Sequence, residues 1–281
     1  MSSKSKRGRV IVVTSGKGGV GKTTTSASLA TGLALKGKKT IAIDFDIGLR
    51  NLDLIFGCDN RVMYDIIQVM NNEVKLHQAC ISLNIKDTTG ASTDKNLFCL
   101  PASQTSDKTH LNVDKIGALI EKLRDKYDYI ICDSPAGCED GALMAMHFAD
   151  EAVVVVNPEI SSIRDSDRII GHLDTHTVMG KQGLKMPQNL VITRYNAVPE
   201  SDMISIDQIT DILRIDVIGV IPESKDIIAS SNVGIPAIAN QKNVVGQAYM
   251  DVVERILGND LPLRFLNANR KGFFRKLFGA K

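Results

Sequence analysis

Apolar positions along the chain gather in short continuous runs rather than alternating with polar ones. The runs fall at residues 10–14, 40–44, 97–100, 129–133, 152–156, 190–193 and 217–221. Runs of this kind are what strands buried on both faces look like. Longer stretches with helical periodicity lie between them, at 23–36, 113–126, 162–175 and 244–257. Strand and helix in regular alternation predict an α/β fold, a mainly parallel sheet with helices on both faces. Residues 87–95 are polar and read as a surface loop. Ser162 and Asp165 have capping-box spacing and read as the start of the helix that follows. With no internal repeat and no Pro-, Gly- or Ser-rich linker, we read one domain over 9–261 and a tail over 262–281. Ligands in such sheets bind beyond the carboxyl ends of the strands, so the chemistry is sought just after each apolar run.

The first run is followed by Ser15-Gly16-Lys17-Gly18-Gly19-Val20-Gly21-Lys22-Thr23-Thr24. Gly16 to Thr23 match G-x-x-x-x-G-K-[ST] between a strand and a helix, the context the motif requires. Glycines let successive backbone N–H groups turn inward around phosphate oxygens. The helix that begins here adds its N-terminal dipole. Lys22 is placed to reach β- and γ-phosphates, and the Thr23 hydroxyl to ligate Mg²⁺. Gly16 through Thr24 are therefore the expected phosphate-binding residues of an ATP site.

The second run ends in Asp44-Phe45-Asp46 and the fourth in Asp133. Two carboxylates at one strand edge suit the γ-phosphate end of such a site. Asp44 is expected on the metal side and Asp46 as the group that orients the attacking water; the other use of either aspartate is to cap a turn. An apolar strand ending in Asp133 is a Walker B pattern, expected to hold Mg²⁺ through water.

Lys17 is the less usual residue of the glycine loop. The octet K-G-G-V-G-K-T-T resembles the deviant Walker A loop of the MinD/ParA group of dimeric ATPases. The stretches D-F-D-I-G-L-R-N-L-D, D-S-P-A-G and I-P-E, beginning at Asp44, Asp133 and Ile221, are similar to the division-site selection ATPases of that group. The resemblance covers essentially 9–281. It implies a P-loop NTPase-type sheet of seven or eight strands, ATP hydrolysis with Mg²⁺, and an ATP-dependent homodimer in which Lys17 reaches across the two-fold interface. It also implies a MinC-like septation inhibitor and a MinE-like activator as partners. Arg50, Asn51 and Leu52 then fall in a nucleotide-sensitive interface segment, and Arg194 and Pro222 in the adenine site.

Composition narrows the class without changing it. Apolar residues make up 43% and charged residues 23% of the 281 positions, ordinary for a globular chain. The polar N-terminus gives no sign of a secretory signal, and no run is long enough to span a bilayer. Five cysteines at 58, 80, 99, 132 and 138, without a C-x-x-C pair, argue against a disulfide framework or zinc site and fit a reducing compartment. His172 and His176 have metal-compatible spacing but no third ligand nearby, so a solvated helix face is expected.

Charge is unevenly spread. Four basic residues and no acid lie in the first nine positions, and six basic residues and no acid in the last eighteen. The body between them carries 24 basic and 32 acidic side chains, a charge of −8, which does not suit a general nucleic-acid binder. In the tail, Phe273, Phe274, Leu277 and Phe278 fall on one side of a helix and Arg275 and Lys276 elsewhere. That is the pattern of an amphipathic helix lying in an anionic membrane surface, and it matches the family's targeting sequence. The expected setting is the cytoplasm and the cytoplasmic face of the cell membrane, or the equivalent plastid stroma. Two alternatives stand beside this reading: a DNA-segregation ATPase, and a nucleotide-switched membrane adaptor for a flagellum or another polar structure.

Overall fold

The computed structural model describes residues 7–105, 112–196 and 204–266. In chain order the elements are β1 (Arg9–Thr14), α1 (Lys22–Leu35), β2 (Thr40–Asp44), α2 (Leu52–Ile55), α3 (Ile66–Met70), α4 (Leu76–Ala79), β3 (Ile81–Leu83) and β4 (Leu97–Leu100). There follow α5 (Val113–Arg124), β5 (Tyr129–Asp133), α6 (Asp140–His147), β6 (Glu151–Val156), α7 (Ile160–His176) and α8 (Val178–Lys181). The last five are β7 (Gln188–Tyr195), α9 (Ile206–Leu213), β8 (Asp216–Pro222), α10 (Lys225–Asn232) and α11 (Val244–Ile256).

The strands form one sheet in the order β3-β4-β2-β5-β1-β6-β7-β8. Every pairing is parallel except β3 with β4. Side chains alternate across it. Val10 and Val12 of β1 join the core under α3, α5, α6, α7 and α9, while Ile11 and Val13 join the core under α1, α2 and α11. Burial on both faces is why these strands read as unbroken apolar runs. β1 sits inside the sheet between β5 and β6, so the loop that leaves its carboxyl end opens at the centre of that edge.

Differences from the sequence expectation have local causes. β3 is a three-residue edge strand whose exposed Ser82 sits between buried Ile81 and Leu83, too brief to stand out as a run. α7 begins at Ile160, two residues before the expected capping box. Ser162 is therefore inside the helix, buried, and its hydroxyl accepts a hydrogen bond from the Asn157 N–H at 3.2 Å. His172 and His176 stand on the exposed side of α7 with ring nitrogens 3.3 Å apart, and no cluster of three or more potential metal ligands occurs among the described residues. Residues 262–266, grouped with the tail in the sequence, pack on the domain: Arg264 donates to the Asp251 carboxylate at 2.6 and 2.8 Å, and Phe265 joins the core beside α11. Phe273, Phe274, Arg275, Lys276, Leu277 and Phe278, with the amphipathic helix expected there, lie outside the described residues. No described helix is long and apolar enough to cross a membrane.

Candidate nucleotide site

A cavity of about 680 Å³ opens at the carboxyl edge of the sheet. Its floor is the glycine loop, Gly18 through Thr24. Gly21 has φ +97 and is the N-cap of α1, a left-handed conformation that favours glycine over any residue with a Cβ. A Cβ on Gly18 or Gly19 would meet nothing within 4 Å, so the loop is uncovered at these two residues. The loop is held from outside. The Thr193 hydroxyl lies 2.6 Å from the Val20 carbonyl and 2.8 Å from Asn157 Oδ1. Arg194, with φ +52, donates from Nη2 to the Gly19 carbonyl at 2.7 Å.

Lys22 is buried, and that burial lowers its pKa, while the nearby Asp133 and Asp46 carboxylates act in the opposite direction. Asp133 is fully buried and accepts hydrogen bonds from the Ser26 hydroxyl, at 2.6 Å, and from the Thr23 hydroxyl. Burial pushes its pKa up to about 6, against the pull of those hydroxyls and of Lys22. A buried carboxyl short of positive charge, with a threonine hydroxyl beside it, fits a hydrated divalent cation held by Thr23 and Asp133.

Asp44 is arranged differently from the expectation that it stands on the metal side. Neither it nor Asp133 lines the cavity, and what sets Asp44 apart is its partners. One of its oxygens accepts from the Asp46 N–H at 2.8 Å, and the other from the Asn51 and Leu52 N–H groups, each at 3.1 Å. The turn-capping use of an aspartate is the one its contacts describe. Burial and the neighbouring Asp133 push its pKa up to about 8. Through these bonds Asp44 suspends the segment that carries Arg50, Asn51 and Leu52. Arg50 sits at φ +49 with its Nε 2.8 Å from Asp53 Oδ2. Asn51 lines the cavity and Leu52 is buried beneath it.

Lys17 and Gly16 are not in the cavity wall. Lys17 Nζ reaches Glu159, the N-cap of α7, at 2.7 Å and the hydroxyl of Ser161 in its first turn at 3.1 Å. Gly16 packs against α7, where a Cβ would come within 2.2 Å of the Asp165 backbone. At the far end of the cavity, Arg194 is joined by Ile227 and Ser231 of α10 and Tyr249 of α11, whose hydroxyl is 3.2 Å from that of Thr25. Pro222 is buried at the end of β8 but does not reach the cavity. Ile227, Ser231 and Tyr249 carry no motif; only the fold brings their helices over the glycine loop.

Comparison with known proteins places this arrangement. A family model described as an AAA domain matches residues 8–186. A septum site-determining protein MinD from Neisseria meningitidis is 52% identical over 276 residues, spanning 96% of this chain and 99% of that one. Among solved structures, the MinC:MinD cell division protein complex of Aquifex aeolicus aligns with TM-score 0.76 and 39% identity, over 91% of this chain and 98% of that one. A septum site-determining MinD from Pyrococcus horikoshii complexed with Mg-ADP aligns with TM-score 0.72 and 32% identity, over 88% and 95%.

Proposed function

The chain belongs to the MinD family of septum site-determining P-loop proteins, and from that premise we propose that it is an ATPase whose nucleotide state governs dimerisation and membrane attachment in placing a division septum. The observation that carries this reading is the cavity itself. An open glycine loop, a buried lysine and a buried cation-side carboxyl converge at one sheet edge, and Asp46 lines the cavity close enough for its charge to act on Lys22 and Asp133.

In this reading the amides of Gly18 to Thr24 and the Lys22 ammonium cradle the phosphates of ATP. Thr23, and Asp133 through water, would hold Mg²⁺, which when bound would supply positive charge beside the phosphates. Asp46 orients the attacking water. Phosphoryl transfer asks mostly for positioning and charge stabilisation, so few further groups are needed. Arg194 and the walls supplied by Ile227, Ser231 and Tyr249 would receive the base; Pro222 would act behind them. Asp44 serves by holding Asn51 and Leu52 in place rather than by touching the metal.

Dimerisation asks Lys17 to leave Glu159 and Ser161 and reach the partner's nucleotide. A MinC-like inhibitor is supported as a partner by the Aquifex complex; a MinE-like activator is proposed on family grounds. The tail supports peripheral attachment by its composition. One short amphipathic segment binds bilayers marginally, whereas two tails tethered in a dimer raise avidity by about 10²–10⁴. A body charge of −8 favours this over DNA segregation.

The test is sedimentation with anionic vesicles in ATP, ADP or no nucleotide, with phosphate release measured in parallel. ATP should bring the protein down with the vesicles and ADP should release it. A chain lacking 272–281 should bind ATP but stay in the supernatant. Equal sedimentation in ATP and ADP would overturn the switch, and full sedimentation of the truncated chain would overturn the role of the tail.

A further inference from the structure

The chain does not leave the domain where its last helix ends. α11 runs antiparallel to β8: Arg255 donates from Nη1 to the Ile218 carbonyl at 2.7 Å, while Ala248 and Asp251, earlier in the helix, stand beside Val220. After Gly258, at φ +95, the chain doubles back along that helix. Arg255 holds the start of the return, donating from Nε to the Leu261 carbonyl at 3.1 Å and from Nη2 to the Pro262 carbonyl at 2.8 Å. Arg264 then reaches Asp251, one turn nearer the start of α11, through two bonds of 2.6 and 2.8 Å. Phe265 shares a small cleft with Val220 and Ala248, and the Arg264 guanidinium lies 5.2 Å from the centre of its ring.

The return has a direction. From Leu261 to Phe265 the chain passes from the level of Ile218 to that of Val220, towards the carboxyl end of β8. That is the edge of the sheet on which the nucleotide cavity opens, with Tyr249 of α11 in its wall. The pair that holds the return is strong: the Asp251 side chain is 7% exposed, and a guanidinium fork on both its oxygens fixes orientation as well as distance. Opening it strands a buried carboxylate. The fold-back also shortens a connection. Phe273, the first apolar residue of the amphipathic pattern, is six residues beyond the packed segment that ends at 266, with 267–272 between; counted from the end of α11 the gap is fifteen, 258–272.

We propose that Asp251 and Arg264 are positioning residues for membrane attachment: their clamp brings the root of the tail to the cavity-side edge of the sheet and keeps its connection short, so that the two tails of a dimer engage one bilayer together. This rests on the function proposed above. Once one tail has bound, the effective concentration of the second falls roughly as the −3/2 power of the connecting length, so lengthening from six to fifteen residues lowers it by about fourfold. Asp251 is outside the nucleotide cavity, so the clamp acts on attachment and not on hydrolysis.

The test uses the full chain in ATP with vesicles of phosphatidylglycerol and phosphatidylcholine, titrating lipid and reading the fraction sedimented. Asp251→Asn keeps the side chain's shape and the whole tail sequence, and removes the charge that holds Arg264. Its amide exchange over 262–266 should rise by about tenfold or more while α11 stays protected. Its phosphate release without vesicles should match the parent, and the lipid needed for half-sedimentation should rise by about fourfold. Nine Gly and Ser residues inserted after Asn267 give the parent the longer connection with the clamp closed, and should raise the lipid demand equally. The same insertion in Asp251→Asn should add only about twofold. If Asp251→Asn fails to fold, the insertion, which alters no packed residue, decides alone. Unaltered exchange over 262–266 in Asp251→Asn, raised exchange with parental lipid demand, or an insertion that leaves lipid demand unaltered would each overturn the proposal. A parent that does not sediment in ATP would refute the function reading itself, and this proposal with it.

Discussion

Asp44 and Asp133 stand directly opposite each other on the paired strands β2 and β5, and both carboxyls are buried. Their surroundings divide their work. Asp44 is met by backbone amides and holds a loop, while Asp133 is met by the hydroxyls of Ser26 and Thr23 and faces Lys22. Two adjacent carboxyls in a dry interior resist ionising together unless a cation stands by.

That relationship sets a pH dependence for the protein without nucleotide or metal. Burial raises both folded pKa values, to about 8 for Asp44 and about 6 for Asp133. The folded chain thus holds protons that the unfolded chain has released above about pH 4. The stability this supplies is complete below that pH and is lost as pH rises through about 6 and then about 8. Urea midpoints taken in chelator from about pH 5.5 to 9 should fall, and Asp44→Asn should flatten the upper part of the fall. A wild-type midpoint that does not change over this range would remove the pair as the cause.

Gly18 and Gly234 should respond to alanine in opposite ways. A Cβ on Gly18 meets open space, so Gly18→Ala should keep stability within about 0.5 kcal/mol, and on the proposed reading of the loop it should lose nucleotide affinity, because a side chain there restricts the close backbone approach a phosphate needs. A Cβ on Gly234, at φ +66, would come within 2.4 Å of the Gly57 Cα. Gly234→Ala should cost about 1–3 kcal/mol as the two turns are forced apart. Urea unfolding and calorimetric titration with ADP separate the two effects. A destabilised Gly18 variant with unchanged affinity would contradict the assignment of the loop.

Thr193 ties β7 to the glycine loop at Val20. Thr193→Val keeps the shape and removes the hydroxyl, leaving the Val20 carbonyl and the Asn157 side chain to compete for other donors. Stability should fall by about 1–3 kcal/mol. ADP affinity should fall with it, since a cradle that must be ordered on binding binds less well. An unchanged affinity in a measurably destabilised variant would make the tie structural only.

Asp46→Asn tests chemistry apart from binding. ATP should still bind, promote dimers and carry the variant to vesicles, while phosphate release slows by about 10²-fold or more. Quench-flow and sedimentation on the same sample give both readings. Normal turnover would take Asp46 out of the mechanism.

How much of this was legible in the sequence depended on how local the cause was. β2, β4 and β5 run between the limits their apolar stretches indicate, because full burial on both faces writes itself into consecutive residues. The glycine loop was legible for the same reason: its spacing is a backbone requirement met within ten residues. The helices α2, α3 and α4, of four or five residues each, are too short to show a period. Asp44 looked like a metal-side group from its place at a strand end, and only the amides of Asn51 and Leu52, seven and eight residues on, reveal the loop it holds. Ile227, Ser231 and Tyr249 were invisible because their role is set by helix packing, with Tyr249 meeting Thr25 across 224 positions; the bond from Lys17 to Glu159 spans 142.

The place of β1 in the sheet has a consequence for synthesis. It is made before the other described strands, yet both its neighbours, β5 and β6, are made more than a hundred residues later. At about 5–20 residues per second, the nascent β1 and its glycine loop wait roughly 6–24 s before Tyr129 to Asp133 exist to pair with them. For that interval the apolar β1 has neither of its neighbours to pair with, which makes it a segment for a chaperone to cover. The glycine loop is therefore made long before the strands that flank it, and the cavity it floors is complete only when Arg194, Ile227, Ser231 and Tyr249 have been added.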